Sequence, residues 1–323
     1  MAKLLRRRLL QAIPLLLGVV VLNFLLIQAA PGSFFEVMTA ENQVTDPAML
    51  ERLRAIYGVD RPVWEQLLRY ILSVARFDFG WSYRQNQPVF EVIMASLPAT
   101  VLLMLAALSV ALLVGVSVGI AAAAKVNTIW DNLLSFGAIL FFAAPSFWLG
   151  IMLTVVFAVK LGWLPVGGMR SIGGQEMGPL GDVLDVMHHL ILPACTLGLF
   201  FAAVYARVMR ASMLEVLGLD FIRTAKAKGL GRLRVLLRHA ARNALLPIVT
   251  LLGLQFGTVL GGSIVIEAVF NWPGLGSLML DSVSSRNYPV VLGILVLGSM
   301  VVIIVNILVD LTYSRLDPRI RAR

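Results

Sequence analysis

Six apolar runs divide the chain, at residues 9–30, 99–124, 132–159, 190–206, 243–266 and 287–309. None contains Asp, Glu, Lys, Arg or His. Most match or exceed the roughly 20 residues that a helix needs to cross the hydrocarbon of a bilayer, and the fourth is slightly shorter. Backbone N–H and C=O groups in lipid must be satisfied within the segment, so each run predicts an α-helix. The runs are apolar all round rather than on one face, which separates them from the helices of a soluble core. The pattern therefore predicts an all-α membrane protein with six transmembrane helices. The first run is longer than the apolar region of a secretory signal, and Gln28-Ala29-Ala30-Pro31 is a poor cleavage site, so it is read as a retained helix.

The polar segments between the runs set the orientation. Placing the N-terminus inside puts 18 of the 27 Lys and Arg residues on the inner side. These are Lys3 and Arg6 to Arg8, Lys125, nine residues from Arg207 to Arg242, and Arg315, Arg319, Arg321 and Arg323. This asymmetry predicts that both termini are cytoplasmic. The net charge of +9 is thus a topology signal rather than a sign of nucleic-acid binding. The chain divides into 1–98 (first helix and outer segment), 99–312 (a five-helix core that includes the inner loop 207–243) and 313–323 (a basic tail). The mean hydropathy of +0.87 and the low share of charged residues, 14%, agree with most of the mass lying in lipid.

The outer segments are uneven. Segment 31–98 is long, and its stretch 61–76 has Val63, Leu67, Tyr70, Ile71 and Val74 near one helical face. Its aromatics, among them Tyr57, Trp64, Trp81 and Tyr83, form either an interfacial belt or a docking platform for an outer partner. His188 and His189 are adjacent, so on a helix they point apart and do not make a two-ligand metal site. The single Cys195 excludes an intrachain disulfide and is read as a small buried packing residue. The turn Phe270-Asn271-Trp272-Pro273-Gly274-Leu275-Gly276 follows the fifth run. Glu267 precedes it, either as an exit-side charge in water or as a gate or substrate contact.

Polar groups within the runs are few, among them Asn23, Gln28, Gln255, Asn306 and some hydroxyls. Ion-coupled carriers usually place ionisable groups at membrane depth, so their absence weighs against that class. Gly253, Gly257 and Gly261 share one face of the fifth run, and Gly115 and Gly119 one face of the second. Close helix packing is one reading of such stripes, and a face that slides during gating is the other. With Gln255 and Glu267, the fifth-run glycines are the candidate gate or substrate path. No lysine follows a glycine, so the chain has no phosphate-cradling Gly-Lys-Ser/Thr loop. Any ATP and Mg would be bound by separate subunits, and no cofactor or metal site is expected here.

The largest inner segment is a basic handle. Asp220 marks the start of a short helix that Gly229 would end with a positive φ. Beyond Gly231, Leu233, Leu236, Leu237, Ala240, Ala241 and Ala244 fall on one helical face, with Arg234, Arg238 and Arg242 opposite. This predicts an amphipathic helix along the inner interface. By itself the handle is either a basic loop that only sets topology or a helix that docks on another protein.

Residues 213–230, with Asp220-Phe221-Ile222-Arg223-Thr224-Ala225-Lys226-Ala227-Lys228-Gly229-Leu230, and Arg238 to Pro247 closely resemble the inner-membrane permeases of bacterial peptide ABC importers, in the oligopeptide, dipeptide and nickel group. Tyr57 to Pro62, Asp78 to Ser82, Leu192-Pro193-Ala194 and Phe270 to Gly276 resemble further signatures of that group, so the likeness covers nearly the whole chain. It implies a type I ABC importer fold with a cytoplasmic coupling helix. It also implies a second, homologous permease, two ATP-hydrolysing subunits and a periplasmic or lipid-anchored substrate-binding protein. Asp220, Phe221, Arg223, Thr224, Ala225, Ala227, Lys228, Gly229 and Leu230 would couple to the ATPase, with Phe221, Ala225 and Leu230 as packing contacts. Arg223-Thr224-Ala225 stand at the family's Glu-Ala-Ala positions, so the usual glutamate is replaced by Arg223. Trp64, Trp81 and Tyr83 would dock the binding protein. The cargo would be dipeptides or short peptides, with nickel chelates or glutathione-like compounds as the alternative. The chain itself would not be an enzyme. An intramembrane serine protease built on Ser277 is disfavoured, because Ser277 is placed in an outer turn with no histidine partner.

Overall fold

The computed structural model describes residues 2–29, 61–82, 84–171, 173 and 178–316. Segment 30–60 with Tyr57, Tyr83 and residues 317–323 lie outside this set, as does the side chain of Gln255. The described chain is helical apart from one two-stranded hairpin. It forms two compact units that divide at Leu97–Pro98 and Ser277–Leu278.

The first unit comprises residues 1–97 and 278–323. It holds α1 (Ala2–Ala29), α2 (Val63–Ala75), the hairpin β1 (Trp81–Ser82) and β2 (Gln87–Pro88), the start of α3 (Val89–Ala124), and α12 (Tyr288–Leu316). The last apolar run thus groups with the first. Asn23, fully buried, donates from Nδ2 to the Leu292 carbonyl at 3.3 Å. Val20, Val74 and Val296 form a small core against which Tyr70, Ile71 and Met300 pack.

The second unit, 98–277, contains the rest of α3, then α4 (Ile129–Ala143), α5 (Ser146–Leu153) running into a π-helical stretch π1 (Thr154–Lys160), and α6 (Gly178–Leu217). The handle follows as α7 (Asp220–Ala227), α8 (Arg232–Arg234), π2 (Val235–Ala240) and α9 (Ala241–Ala244). It leads into α10 (Leu246–Val269), and α11 (Leu275–Ser284) starts the return into the first unit. Small residues let α3 and α6 approach closely. A Cβ on Gly115 would lie 2.6 Å from the Ala202 carbonyl oxygen, and one on Gly119 2.6 Å from the Met209 Cβ. Close packing is therefore the role of that glycine pair. Gly261 has open space around it, while Gly253 is buried and Gly257 half-buried. The fifth-run stripe is not buried as a single face within the described chain.

Among the described residues, five helical stretches are long and apolar enough to cross a bilayer, and six if one bent pair is one span. That pair corrects the sequence reading of 132–159 as a continuous helix. α4 and α5 meet at a bend of 106°. Pro145 disfavours the α conformation at the residue before it. Ala144 accordingly sits at φ −72° and ψ 133°. The amphipathic helix predicted at 233–244 is also corrected. The π turn stretches the repeat: Ala240, Ala241 and Ala244 of the expected face are buried, Val235 joins them, and Leu233 and Leu237 are exposed. Cys195 is half-buried rather than fully enclosed.

Candidate functional site

Two regions of the second unit concentrate the sequence-predicted residues. The first is the handle. α7 begins after Leu219, whose backbone is extended, with Asp220 in its first turn. Ile222 and Ala225 are buried against the body of the unit, three residues apart on one face. Asp220, Phe221, Arg223, Thr224, Ala227 and Lys228 are all exposed, and Leu230 is half-buried. Ala225 therefore belongs to the anchoring face and is not an outward packing contact, which revises the expectation for that residue. Gly229 has φ +75°, in the region that favours glycine, as its place at the end of α7 requires. Asp220 and Arg223 form an exposed pair at 3.4 Å, which contributes little stability.

The base of the handle is held by contacts that sequence reasoning missed. Arg232 donates to the Ala124 carbonyl at 2.6 Å, satisfying a free acceptor at the C-terminus of α3. Ile222 is fully buried, though its type and position gave no distinguishing signal. Between the handle and the end of α3 lies a cavity of about 300 Å³, bordered by Ala124, Leu217, Lys226, Leu230, Arg232 and Val235. Nearby, Arg210 of α6 grips Asp131 of α4 through two parallel hydrogen bonds, both 2.7 Å. Asp131 is 2% exposed and also accepts from the Asn127 N–H at 3.0 Å. The two residues are 79 positions apart, so no local pattern pairs them.

The second region is the turn after α10. Glu267 is fully buried, which corrects the reading of an exit-side charge in water. Its Oε1 accepts from the Thr100 hydroxyl at 2.8 Å. Its Oε2 accepts from the N–H groups of Gly276 and Ser277, at 2.6 and 3.2 Å. The Thr100 oxygen in turn accepts from the Leu275 N–H at 2.7 Å. A carboxyl group and a hydroxyl thus cap the first turn of α11, where free N–H groups and the helix dipole favour negative charge. Trp272 is fully buried and donates to the Ala99 carbonyl at 2.8 Å. The Phe270 carbonyl accepts from Gly168 at 2.7 Å. Added Cβ atoms on Gly274 and Gly276 would run into the Glu267 carboxyl group, so close approach requires both glycines. Ser277 lies in the first turn of α11 rather than in a loop, and its hydroxyl donates to the Trp272 and Gly274 carbonyls.

Of the outer aromatics, Trp64 is exposed on α2 and Trp81 is exposed on β1. They occupy different elements, and Tyr83 lies outside the described residues. The hairpin is tied down by Asn287, whose Nδ2 donates to the Ser82 hydroxyl and to Gln85 Oε1, both at 2.9 Å. On α2, Glu65 is hydrogen-bonded by Arg61, which holds its carboxyl group below the usual range. His188 and His189 each contact a backbone carbonyl, of Trp163 and Asp185. No cluster of three potential metal ligands occurs among the described residues.

Comparison with known proteins places this architecture. Residues 115–322 match the family described as the binding-protein-dependent transport system inner membrane component, and residues 1–104 match its N-terminal companion. The oligopeptide transport system permease AppB of Bacillus subtilis (strain 168) is 39% identical over 99% of both chains. The dipeptide transport system permease DppB of Escherichia coli (strain K12) is 40% identical over 98% of this chain and 97% of its own. The di/tripeptide permease DppB of Pseudomonas aeruginosa (strain UCBPP-PA14) is also 40% identical, with the same coverage. A chain from an inward-facing structure of the MetNI methionine ABC transporter superposes with a TM-score of 0.53 at 17% identity. It covers 70% of this chain and 96% of its own length, a likeness of fold. With its type I permease fold, this multi-pass chain belongs to the family of inner-membrane components of binding-protein-dependent transport systems.

Proposed function

We propose that the chain is the translocation subunit of an ATP-driven importer of dipeptides or short peptides. The near-full-length relation to the two peptide permeases carries this reading. In it the chain pairs with a second, homologous permease to form the path. Two separate ATPase subunits, with ATP and Mg, supply the energy, and a periplasmic or lipid-anchored binding protein delivers the peptide. The chain performs no covalent chemistry.

The handle is the coupling element of this reading. α7 is fixed to its own chain by Ile222 and Ala225, while Phe221, Arg223, Thr224 and Lys228 are free to enter a groove on the ATPase. A short helix held rigidly at its base transmits a push from the ATPase into α6 and α10, between which it is strung. Both termini lie in the cytoplasm, in line with the basic asymmetry. The Gly253, Gly257 and Gly261 stripe of α10 borders the path in the assembled pair, and the open space at Gly261 leaves room for it. Glu267 acts on that path by fixing the outer end of α10 rather than by touching cargo. The hairpin bearing Trp81 docks the binding protein.

Uptake of a radiolabelled dipeptide in a strain lacking this chain tests the reading. Expression of the wild-type chain restores uptake, and excess unlabelled dipeptide competes. Restored growth without any peptide uptake would overturn the cargo. ATP-independent uptake would overturn the importer.

A further inference from the structure

We propose that α2 is an interfacial helix sunk into the leaflet opposite the basic N-terminus, with its Trp64–Leu68–Leu72 stripe covered by lipid hydrocarbon. Three contacts lay α2 antiparallel to α1. Gln28 bonds Gln66 at 3.1 Å, the Phe24 and Tyr70 rings lie 6.2 Å apart, and Val20 meets Val74. From Gln66 to Val74 the helix descends about 12 Å along α1, at 1.5 Å per residue. Val20 and Val296 lie inside the apolar stretches Arg6–Leu26 and Tyr288–Leu308. The lower half of α2 is therefore packed beside residues at hydrocarbon depth, and the helix is not raised above the membrane as an aqueous platform.

The other faces of α2 agree with that depth. Trp64, Leu68 and Leu72 are 68%, 50% and 49% exposed. They recur every four residues, so they form one stripe. Beside it runs a charged strip in which Glu65 pairs with Arg61 and with Arg69. An apolar stripe flanked by a charged one is the pattern of a helix lying in the membrane interface, its apolar side buried about 5–10 Å. Trp64, near the level of Gln28 where α1 ends, sits where indole rings collect at headgroups. A permease–permease contact within the membrane would call for small residues that let backbones approach. The stripe instead offers an indole and two leucines, which suit fluid acyl chains.

The test uses the complete transporter, with its second permease and ATPases, in proteoliposomes. Leu68→Cys and Leu72→Cys, each on a Cys195→Ser background, receive an environment-sensitive fluorophore, as does Arg69→Cys from the charged strip. Phosphatidylcholine with a doxyl group on its acyl chain should quench the first two strongly and the third weakly. Aqueous iodide should show the reverse order. Iodide quenching at Leu72→Cys equal to that at Arg69→Cys, without doxyl quenching, would overturn the proposal in favour of an aqueous surface. Protection of both leucine positions in the complete transporter, with doxyl quenching only in the isolated chain, would assign the stripe to the second permease and equally overturn it. Native fluorescence gives a label-free check. Brominated phosphatidylcholine should quench wild-type protein more than Trp64→Phe, and equal quenching would contradict lipid contact at Trp64.

Discussion

The handle and the turn after α10 look alike in sequence, yet the fold treats them in opposite ways. Each joins apolar helices, carries an aromatic and is punctuated by glycine. In the turn, the side chains of Phe270, Trp272, Leu275 and Glu267 are all buried. Both Glu267 oxygens have donors, and the indole N–H has an acceptor. In the handle only Ile222 and Ala225 of α7 turn inward. The turn spends its polar groups on its own fold, whereas the handle keeps them facing outward. A segment whose chemistry is satisfied internally maintains geometry, and one that leaves it unspent is available to a partner.

The contrast is sharpest at Glu267. Glu267→Ala strands the Gly276 and Ser277 N–H groups and the Thr100 hydroxyl in a buried site. The loss should be about 3 kcal/mol or more. Gly276→Ala should be comparably harmful, since its Cβ would collide with the Ile264 backbone. Both should appear as lost folded yield and a lower Tm in detergent, independent of ATPase subunits. A stable Glu267→Ala protein that only fails to transport would move the residue from structure to gating and erase the contrast.

Arg210→Met comes next. It leaves Asp131 buried without its partner, at a cost below the roughly 3–5 kcal/mol of a fully buried pair because Arg210 is 31% exposed, while Arg210→Met with Asp131→Leu should recover much of it. A double-mutant cycle on thermal unfolding reads the coupling. Strict additivity would mean that the N-terminal end of α4 and the C-terminal end of α6 are held by packing instead.

Handle variants should fold but fail to couple. Gly229→Val forces a β-branched residue to φ +75°, at about 1–2 kcal/mol of local strain. Phe221→Ala removes an exposed aromatic anchor of the kind that dominates small interfaces. Both should insert, pair with the second permease and lose ATPase co-purification or its stimulation by loaded binding protein. Wild-type coupling in both would reduce the handle to a topology signal. Smallest of all should be Gly231→Ala and Arg234→Ala. Gly231 has negative φ and open space about it, and Arg234 is exposed, so changes within about 0.5 kcal/mol are expected. A large loss of ATPase binding at Arg234 would extend the partner surface beyond α7.

Legibility in the sequence followed the range of the interaction. The spans, the basic asymmetry, the start of α7 at Asp220 and the positive φ of Gly229 all rest on composition or on neighbours within a few residues. The kink at Ala144-Pro145 was equally local, but it lay inside a run whose apolar character dominated the reading. The π turn at 235–240 is different. It brings Val235 into the buried face and leaves Leu233 and Leu237 outside it, a shift that 3.6-residue periodicity does not contain.

The sequence by itself determined that this chain is built for a membrane and where its largest basic handle lies. Those properties follow from hydrophobicity and charge, which act residue by residue. Tertiary structure alone decided that Glu267 is buried, that Asp131 belongs to Arg210, and that Ala225 faces inward while Phe221 does not. A lone acid beside an apolar run looks the same whether water or protein donors surround it. Only the fold, by bringing Thr100 and Arg210 across 167 and 79 residues, supplies the partners that make burial affordable.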